Sequence, residues 1–373
     1  MSNLQAILGQ DLDAGKNLDV LFQSDDAKDI LIVGSSGYGK TCEGKIICRQ
    51  FASQGAKVAV FDLHNSFGKA GIPLEKGGEL GIPALEYDVS KEGIPYKWAM
   101  ESAFSESESQ KMAGNFSDFL CASMEKIGDL EREALLTSAS TVLNRYRNSP
   151  SVDILRLIVE NLKSLQERPA RSVATRIMEI SRSLKIVNKE FPFEEGKITV
   201  IRLGGLSDAM QIIAAKMMIM SLWINRPAID DDNAKDLFIW CDEFQNYVSK
   251  NTDCLLRILN EGRKFHEHLI LSTQSLSVKL NKDWKTAITS MDIKIAFRPN
   301  DQENKRVAAL IDPNEVIRTA SMLHELEVGQ FMTAKSKNKI FWNGSPIMDA
   351  IVCKYSIDEE NCLKVENHIE KSM

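Results

Sequence analysis

Short apolar runs alternate with longer amphipathic stretches over much of the chain. The runs are rich in β-branched residues and predict strands at 30–33, 57–62, 197–203, 237–242 and 269–273. The stretches between them carry apolar residues at helical spacing and predict helices at 42–53, 207–223 and 253–265. Strands that alternate with helices favour an α/β fold, in which a largely parallel sheet is sandwiched by helices.

A different pattern occupies residues 100–194. Long helical stretches rich in Ser, Glu, Lys and Arg follow one another here, and no convincing strand interrupts them. We therefore predict an all-helical insertion at 100–194 that divides the core into 30–99 and 195–350. Residues 1–29 are polar with few periodic apolar positions and predict an N-terminal arm, and 351–373 form a C-terminal tail.

The first predicted strand leads directly into a phosphate-binding motif. Residues 34–41 read Gly-Ser-Ser-Gly-Tyr-Gly-Lys-Thr and fit the pattern G-x-x-x-x-G-K-[ST]. In this motif backbone N–H groups surround a phosphate, the lysine reaches the β- and γ-phosphates, and the threonine hydroxyl binds Mg²⁺. A chance match is the alternative, but it would usually lack the preceding strand and the following helix. The predicted nucleotide-binding residues are Gly34, Ser36, Gly37, Tyr38, Gly39, Lys40, Thr41 and Cys42.

Two adjacent acids, Asp242 and Glu243, end an apolar strand about two hundred residues after this loop. The pair has the form of a Walker B motif. Its first carboxylate would hold Mg²⁺ together with Thr41, and its second would orient and deprotonate the attacking water. An acidic pair that only caps the strand or the next helix is the alternative, but the phosphate loop upstream favours the catalytic reading.

Gln274 and Arg263 flank the strand predicted at 269–273. Gln274 follows it, at the edge where a nucleotide is expected, and would read the γ-phosphate or align water; a lone glutamine there is usually just exposed. Arg263 precedes the strand and would act as an arginine finger toward the nucleotide of a neighbouring subunit. A cation near a helix C-terminus, favoured by the helix dipole, is the alternative for Arg263.

Amino-acid composition bears on nucleic-acid binding and on the cellular compartment. The 373 residues include 46 basic and 52 acidic side chains, for a formal net charge of −6. This balance argues against a surface coated in nucleic acid, but it allows DNA in a narrow basic pore. Seven scattered cysteines without a C-x-x-C pair fit free thiols in a reducing cytoplasm. Neither a membrane span nor a signal peptide is indicated, so we expect a cytoplasmic protein.

The order of these motifs resembles that of the HerA/FtsK superfamily of ring-forming ATPases, most closely its HerA-like branch. The resemblance covers about two-thirds of the chain. Besides the phosphate loop it rests on Val60-Phe61-Asp62-Leu63-His64, the segment 196–207, Asp242-Glu243-Phe244, the segment 262–275, and late strands expected at 295–298 and 326–330. Leu63 and Arg202 depart from the pattern, because the family usually has proline and aspartate there.

The resemblance implies a RecA-like P-loop NTPase core and a homo-hexameric ring with ATP and Mg²⁺ at the subunit interfaces. It also implies double-stranded DNA threaded through the centre. HerA proper carries a barrel domain ahead of its phosphate loop, and the 33 residues before Gly34 are too few to form one. We therefore expect a motor core without the barrel. Tyr38 is bulky for its loop position, and its side chain is expected to point to solvent or to a neighbouring subunit.

Two further groups of residues bear on binding. Lys279, Lys282 and Lys285 follow the strand at 269–273 and would form a pore loop on DNA phosphates; a solvated basic loop is the alternative. The segment His266-Glu267-His268 would need further ligands to hold a metal, and no Cys or His cluster in the sequence supplies them.

Three functional hypotheses follow. The leading one is an Mg²⁺-dependent ATPase that moves along, or remodels, double-stranded DNA. One alternative is a hexameric ATPase scaffold that assembles and regulates a partner nuclease or other effector, in DNA repair or phage defence. A second alternative is an ATPase of conjugation or type IV secretion, which shares these motifs but works at a membrane.

Overall fold

The structure is a computed structural model that describes most of the chain in segments. These are residues 4–11, 17–22, 28–63, 84–98, 105–229, 231, 233–248, 253–277, 280–291 and 293–333, with the short segments 341–342, 345–346 and 351–354.

Fifteen strands are described. They are β1 (Leu4–Asp11), β2 (Asn17–Phe22), β3 (Ile30–Val33), β4 (Lys57–Asp62), β5 (Ala84–Asp88), β6 (Ile94–Pro95), β7 (Ile186–Val187), β8 (Ile198–Arg202), β9 (Leu237–Cys241), β10 (Glu267–Thr273), β11 (Ile293–Phe297), β12 (Gln330–Thr333), β13 (Phe341–Trp342), β14 (Ser345–Pro346) and β15 (Ile351–Lys354).

Eleven α-helices are described, and two short 3₁₀ helices accompany them at Phe244–Asn246 and Gly262–Phe265. The α-helices are α1 (Lys40–Ser53), α2 (Val89–Glu92), α3 (Glu106–Cys121), α4 (Asp129–Tyr146), α5 (Ile154–Ser164), α6 (Arg168–Ser181), α7 (Asp208–Ile224), α8 (Cys254–Glu261), α9 (Lys282–Ser290), α10 (Asn304–Ile311) and α11 (Val316–Glu325).

Parallel strands form the larger part of one mixed sheet. Its eleven described strands lie in the order β2-β1-β15-β12-β11-β3-β10-β9-β4-β8-β5. Every neighbouring pair from β11 to β5 is parallel, whereas β12, β15, β1 and β2 add antiparallel strands at the other edge. The predicted α/β fold with a parallel-rich sheet is therefore confirmed.

Both faces of the sheet are covered, and successive residues of a strand face opposite layers. In β3 the side chain of Leu31 packs into one apolar cluster, which α7 and the helices of the insertion share, whereas Ile30 and Ile32 pack into the other, which α1 shares. All three residues have no exposed surface. Burial on both faces explains why these strands read as continuous apolar runs.

Four segments differ from the prediction. The predicted arm forms the hairpin β1–β2, because Leu4, Ala6 and Leu8 alternate as a buried strand face that is too short to stand out in the sequence. The predicted tail supplies β15, which pairs with β12 and β1.

The insertion and the last strand also differ in detail. The predicted all-helical insertion contains the two-residue strand β7, whose β-branched residues pair with β6. The late strand expected at 326–330 begins only at Gln330, because Gly329 takes a positive φ of 83° and turns its N–H to the carbonyl of Tyr38, at 3.0 Å. The domain boundaries themselves stay a prediction.

No helix in the part of the chain that the structure describes is long and apolar enough to cross a membrane.

A buried ion-pair network ties the amino ends of the central strands together. The Nζ of Lys28, before β3, lies 2.9 Å from both carboxylate oxygens of Asp236, before β9. Nε2 of His268, in β10, lies 2.9 Å from Oδ1 of the same carboxylate. Burial would raise the pKa of Asp236, but the hydrogen bond and charge of His268 and the charge of Lys28 outweigh it and lower the pKa to about 2.

Replacement of Asp236 should therefore destabilise the fold. The change Asp236→Ala leaves Lys28 and His268, each 1 % exposed, without their partner, and we expect the free energy of unfolding to fall by about 3 to 5 kcal/mol. The stabilisation is present above pH 3.8 and is lost as the pH falls toward 2, since the pKa of Asp236 is lower in the folded state. Urea denaturation at neutral pH measures the loss.

Glu195→Ala is the matched control. It removes an ion pair of similar length, 2.7 Å to Lys235, but Glu195 is 77 % exposed and its loss should have a much smaller effect. Equal destabilisation by the two changes would contradict the structural role of Asp236.

Candidate active site

Three neighbouring strands end at the same edge of the sheet and carry the predicted motifs there. Val33 of β3 pairs with Thr273 of β10, and Leu271 of β10 pairs with Cys241 of β9. Because all three strands are parallel, the residues that follow them emerge side by side. The phosphate loop, Gln274 and the Asp242-Glu243 pair therefore meet at this carboxyl edge.

The first residue of the loop must be glycine. Gly34 is held by a hydrogen bond from its N–H to the carbonyl of Thr273, at 3.2 Å, and has a φ of +153°. A Cβ added there would lie 2.7 Å from Cβ of Phe297 and 3.0 Å from its carbonyl oxygen. The next N–H, that of Ser35, donates to the carbonyl of Arg298 at 2.8 Å. The loop is thus fixed to both neighbouring strands, β10 and β11.

The sequence led us to expect that Tyr38 points to solvent or to a neighbouring subunit; the first expectation is not met, and the second stays a prediction. Its ring is only partly exposed and packs against the apolar cluster that includes α1. The guanidinium of Arg298 lies over the ring, 5.8 Å from its centroid. This contact arises because β11, which ends just before Arg298, lies beside the phosphate-loop strand.

Lys40 lies at the centre of the site. It is 6 % exposed, and its Nζ donates to the carbonyl of Ser35, across the loop, at 3.1 Å. Burial lowers the pKa of Lys40, and the negative charges of Glu243 and Asp242 act in the opposite direction. The ammonium group therefore faces both the loop that would hold a phosphate and the acidic pair.

Asp242 joins the phosphate loop to β10. One carboxylate oxygen lies 3.4 Å from the hydroxyl of Thr41, and the other accepts hydrogen bonds from Ser272 and from the N–H of Glu243. A hydroxyl and a carboxylate oxygen are the hard ligands that Mg²⁺ prefers. Thr41 and Asp242 thus fit the predicted metal site.

Glu243 is in contact with Gln274. The side-chain amide of Gln274 donates to Oε1 of Glu243, and its backbone N–H lies 3.3 Å from Oε2. Glu243 has a left-handed backbone with φ +49°, which is uncommon for a residue other than glycine. This turn follows β9 directly and brings the carboxylate to the end of β10. The predicted base and the predicted sensor therefore belong to one site.

Arg263 lies at the opposite end of β10. Arg263 is exposed and belongs to the 3₁₀ helix that precedes this strand, whereas Gln274 follows the strand. The seven residues of β10 span roughly 20 Å, so Arg263 is not part of the site formed by its own chain. A role toward the nucleotide of a neighbouring subunit stays a prediction.

The predicted pore loop differs in structure from expectation. Lys282 and Lys285 are exposed on the first turns of helix α9 rather than in a loop, because Asn281 caps this helix and the buried Trp284 anchors it. The third lysine, Lys279, lies outside the described residues, as does His64.

Arg202 has a structural partner at the same edge. Its guanidinium lies 3.5 Å from Asp62, which ends β4, and 2.6 Å from Glu86, in the middle of β5. The arginine that departs from the family pattern therefore bridges two carboxylates beside the site.

Sequence reasoning missed two polar residues of the site. Gln245 donates to Oε2 of Glu243 at 2.7 Å, and its position two residues after Glu243 was the only signal. Glu303, 3 % exposed, accepts from the backbone N–H of Leu276 at 3.2 Å and from Ser275 Oγ at 2.9 Å. It thereby holds the segment that follows Gln274, although it is remote in sequence.

The segment His266-Glu267-His268 is structural. Both histidines face Asp236 in the network described above, with Nδ1 of His266 at 3.4 Å. Among the described residues no group of His, Cys, Asp and Glu could hold a metal ion on its own.

Comparisons with known proteins bear on the family and the fold of the chain. The family model "Helicase HerA, central domain" matches residues 9–221, which is more than half of the chain. None of the curated proteins matches the sequence. Among solved structures, VirB4 of Thermoanaerobacter pseudethanolicus is similar with a TM-score of 0.70 at 14 % identity, over 97 % of this chain and 99 % of that chain.

The plasmid coupling protein TrwB is similar in two of its complexes. With the ATP analogue ADPNP the TM-score is 0.60 at 12 % identity, over 90 % of this chain and 86 % of that one. With ADP and Mg²⁺ the TM-score is 0.58 at 10 % identity, over 96 % of this chain and 94 % of that chain. At such identities the likeness shows a common fold.

The fold and the phosphate-loop site define a P-loop ATPase with a RecA-like core. The chain belongs to the HerA helicase central-domain family, as the sequence predicted.

Gly34 provides a test of the loop geometry. The change Gly34→Ala places a methyl group against Phe297 in a strained backbone, so we expect nucleotide affinity to fall at least about tenfold. Gly55→Ala is the control, since Gly55 also has a positive φ of 90° but has no atom within 4 Å of an added Cβ. Titration with a fluorescent ATP analogue measures both, and wild-type affinity in Gly34→Ala would contradict the proposed constraint.

Proposed function

We propose that this chain hydrolyses ATP with Mg²⁺, as one subunit of a ring that moves along or remodels double-stranded DNA. The observation that carries the proposal is the meeting of Lys40, Asp242, Glu243 and Gln274 at one sheet edge. Family membership and the TrwB complexes with ADPNP and with ADP and Mg²⁺ support it.

Each residue has a role that follows from its position. The loop N–H groups and Lys40 bind the phosphates, and Lys40 neutralises negative charge on the β- and γ-phosphates. Thr41 and Asp242 would hold Mg²⁺, which supplies further positive charge against the phosphate oxygens. Glu243 accepts the proton of the attacking water, and the amide of Gln274 aligns this water or the γ-phosphate.

The placement of Arg263 supports a ring. Catalysis of this kind gains from an arginine that neutralises transition-state charge, and the exposed Arg263 lies at the sheet edge away from its own site. A neighbouring copy that presents its amino edge to this carboxyl edge would complete the site. We therefore infer that subunits associate head to tail, and a hexamer is the form that the family resemblance implies.

DNA is the substrate that we propose for the motor. The exposed Lys282 and Lys285 are three residues apart on α9 and share one face of the helix. They would contact backbone phosphates without reading sequence.

A second candidate is an ATPase of conjugation or type IV secretion. The match to VirB4 over 97 % of this chain favours it, although likeness at 14 % identity concerns the fold alone. A purified protein whose hydrolysis does not respond to DNA would favour this candidate or a scaffold for an effector protein.

Glu243→Gln tests the catalytic role. It removes the base but leaves the phosphate loop, so we expect turnover to fall about 10²- to 10⁴-fold while ATP still binds. Phosphate release and binding of a fluorescent ATP analogue measure the two effects. Unchanged hydrolysis would exclude Glu243 as the base.

Mixed rings test the role of Arg263. Each variant is expected to be inactive alone. Arg263→Ala removes an arginine finger, which contributes about 10³- to 10⁵-fold in rate, and Glu243→Gln removes the base. Mixed together, some interfaces pair an intact base with an intact arginine, so part of the hydrolysis should return. If no mixing ratio restores activity, Arg263 does not act between subunits.

Salt dependence tests the DNA contact. We expect double-stranded DNA to stimulate hydrolysis and the stimulation to weaken steeply as salt is raised, since phosphate contacts release counterions. The double change Lys282→Ala, Lys285→Ala should reduce the stimulation, whereas Lys111→Ala, on the exposed surface of α3, should not. Equal loss in both proteins would argue against a specific contact at α9.

A further inference from the structure

We propose that Gln245 is a positioning residue for the glutamate base: its side-chain amide fixes the carboxylate of Glu243 for the attack of water. The inference rests on the proposed ATPase function, and it adds to it a residue that neither the phosphate loop nor the Walker B pair includes. The two amides around Glu243, those of Gln245 and Gln274, differ in how firmly they are held.

Gln245 is anchored from its far side. Its Nε2 donates to Oε2 of Glu243 at 2.7 Å, while its Oε1 accepts a hydrogen bond from the hydroxyl of Thr273, also at 2.7 Å. Thr273 ends β10 and has no exposed surface. Because the carboxylate oxygens of Glu243 accept hydrogen bonds, whereas a hydroxyl can donate or accept, the NH₂ group of Gln245 faces Glu243 and its oxygen faces Thr273.

The backbone that carries Gln245 is also fixed. It lies in the 3₁₀ helix Phe244–Asn246, and the ring of Phe244, which has no exposed surface, packs 5.3 Å from the ring of Trp284. The left-handed turn at Glu243 directs this carboxylate toward the short helix that follows it. Glu243 therefore has one hydrogen-bond donor that is held by β10 and by the core.

Gln274 is held differently. Its backbone is fixed, since Glu303 binds the next residues, but its side chain is exposed. In its proposed role the exposed amide of Gln274 also binds the γ-phosphate or water, whereas both ends of the Gln245 amide are bound within the protein. Gln245 is then the side-chain donor that keeps the carboxylate in place, beside the backbone N–H of Gln274, which lies 3.3 Å from Oε2.

Two substitutions test the hydrogen bond from Gln245 to Glu243 separately from effects of packing and of charge. Gln245→Met removes the donor without adding charge, and Gln245→Glu keeps the shape and the acceptor for Thr273 but turns the donor into a second carboxylate. For both we expect kcat to fall about 10- to 100-fold, because a displaced catalytic group loses alignment with its substrate. KM for ATP and the affinity for ADP should change by less than about twofold, which a general loss of structure would not allow.

Asn246→Asp is the matched control. It adds the same negative charge one residue further along the same short helix, and it leaves the amide of Gln245 in place. Its kcat should stay within about twofold of the wild-type value. A wild-type kcat in both Gln245 variants, or an equal loss in Asn246→Asp and Gln245→Glu, would overturn the inference.

Turnover of the Glu243→Gln protein shows whether the role of Gln245 or the proposed role of Glu243 as the base is wrong. Loss of turnover in Glu243→Gln together with a wild-type kcat in Gln245→Met would overturn the role of Gln245 alone. Wild-type turnover in Glu243→Gln would overturn the proposed base, and the role of Gln245 with it.

Discussion

The in-register parallel pairing of β3, β10 and β9 is the constraint on which the site depends. It places the end of each strand at one level, so that Asp242 can reach both Thr41 of the phosphate-loop helix and Ser272 of β10. A shift of one residue in β10 would turn every side chain of that strand to the other face of the sheet. The buried network around Asp236 fixes the same three strands at their amino ends.

The carboxyl and amino edges of the sheet therefore have different roles in the proposed function. The carboxyl edge binds and cleaves the nucleotide, whereas the amino edge presents Arg263 outward. His266, three residues after Arg263, lies 3.4 Å from Asp236, so the segment that carries the arginine is tied to the strand network. The sheet, which is buried on both faces, lies between the two edges.

Much of the site could be predicted from sequence, because phosphate and Mg²⁺ chemistry requires particular residue types at fixed spacing. Lys40, Thr41, Asp242 and Glu243 are of this kind. Gln245 and Glu303 could not be found this way, since their importance arises from contacts across the fold. The strand β1 was missed because three buried residues give too short a pattern, and the late strand was misplaced because the turn at Gly329 depends on a contact with Tyr38.

The central claim is that the site is completed by a neighbouring subunit. An experimental structure of the Glu243→Gln protein assembled with ATP and Mg²⁺ tests it most directly. Our account predicts that Arg263 of one subunit lies within hydrogen-bond distance of the γ-phosphate bound by Lys40 of the next. An assembly in which Arg263 lies far from every nucleotide would contradict it.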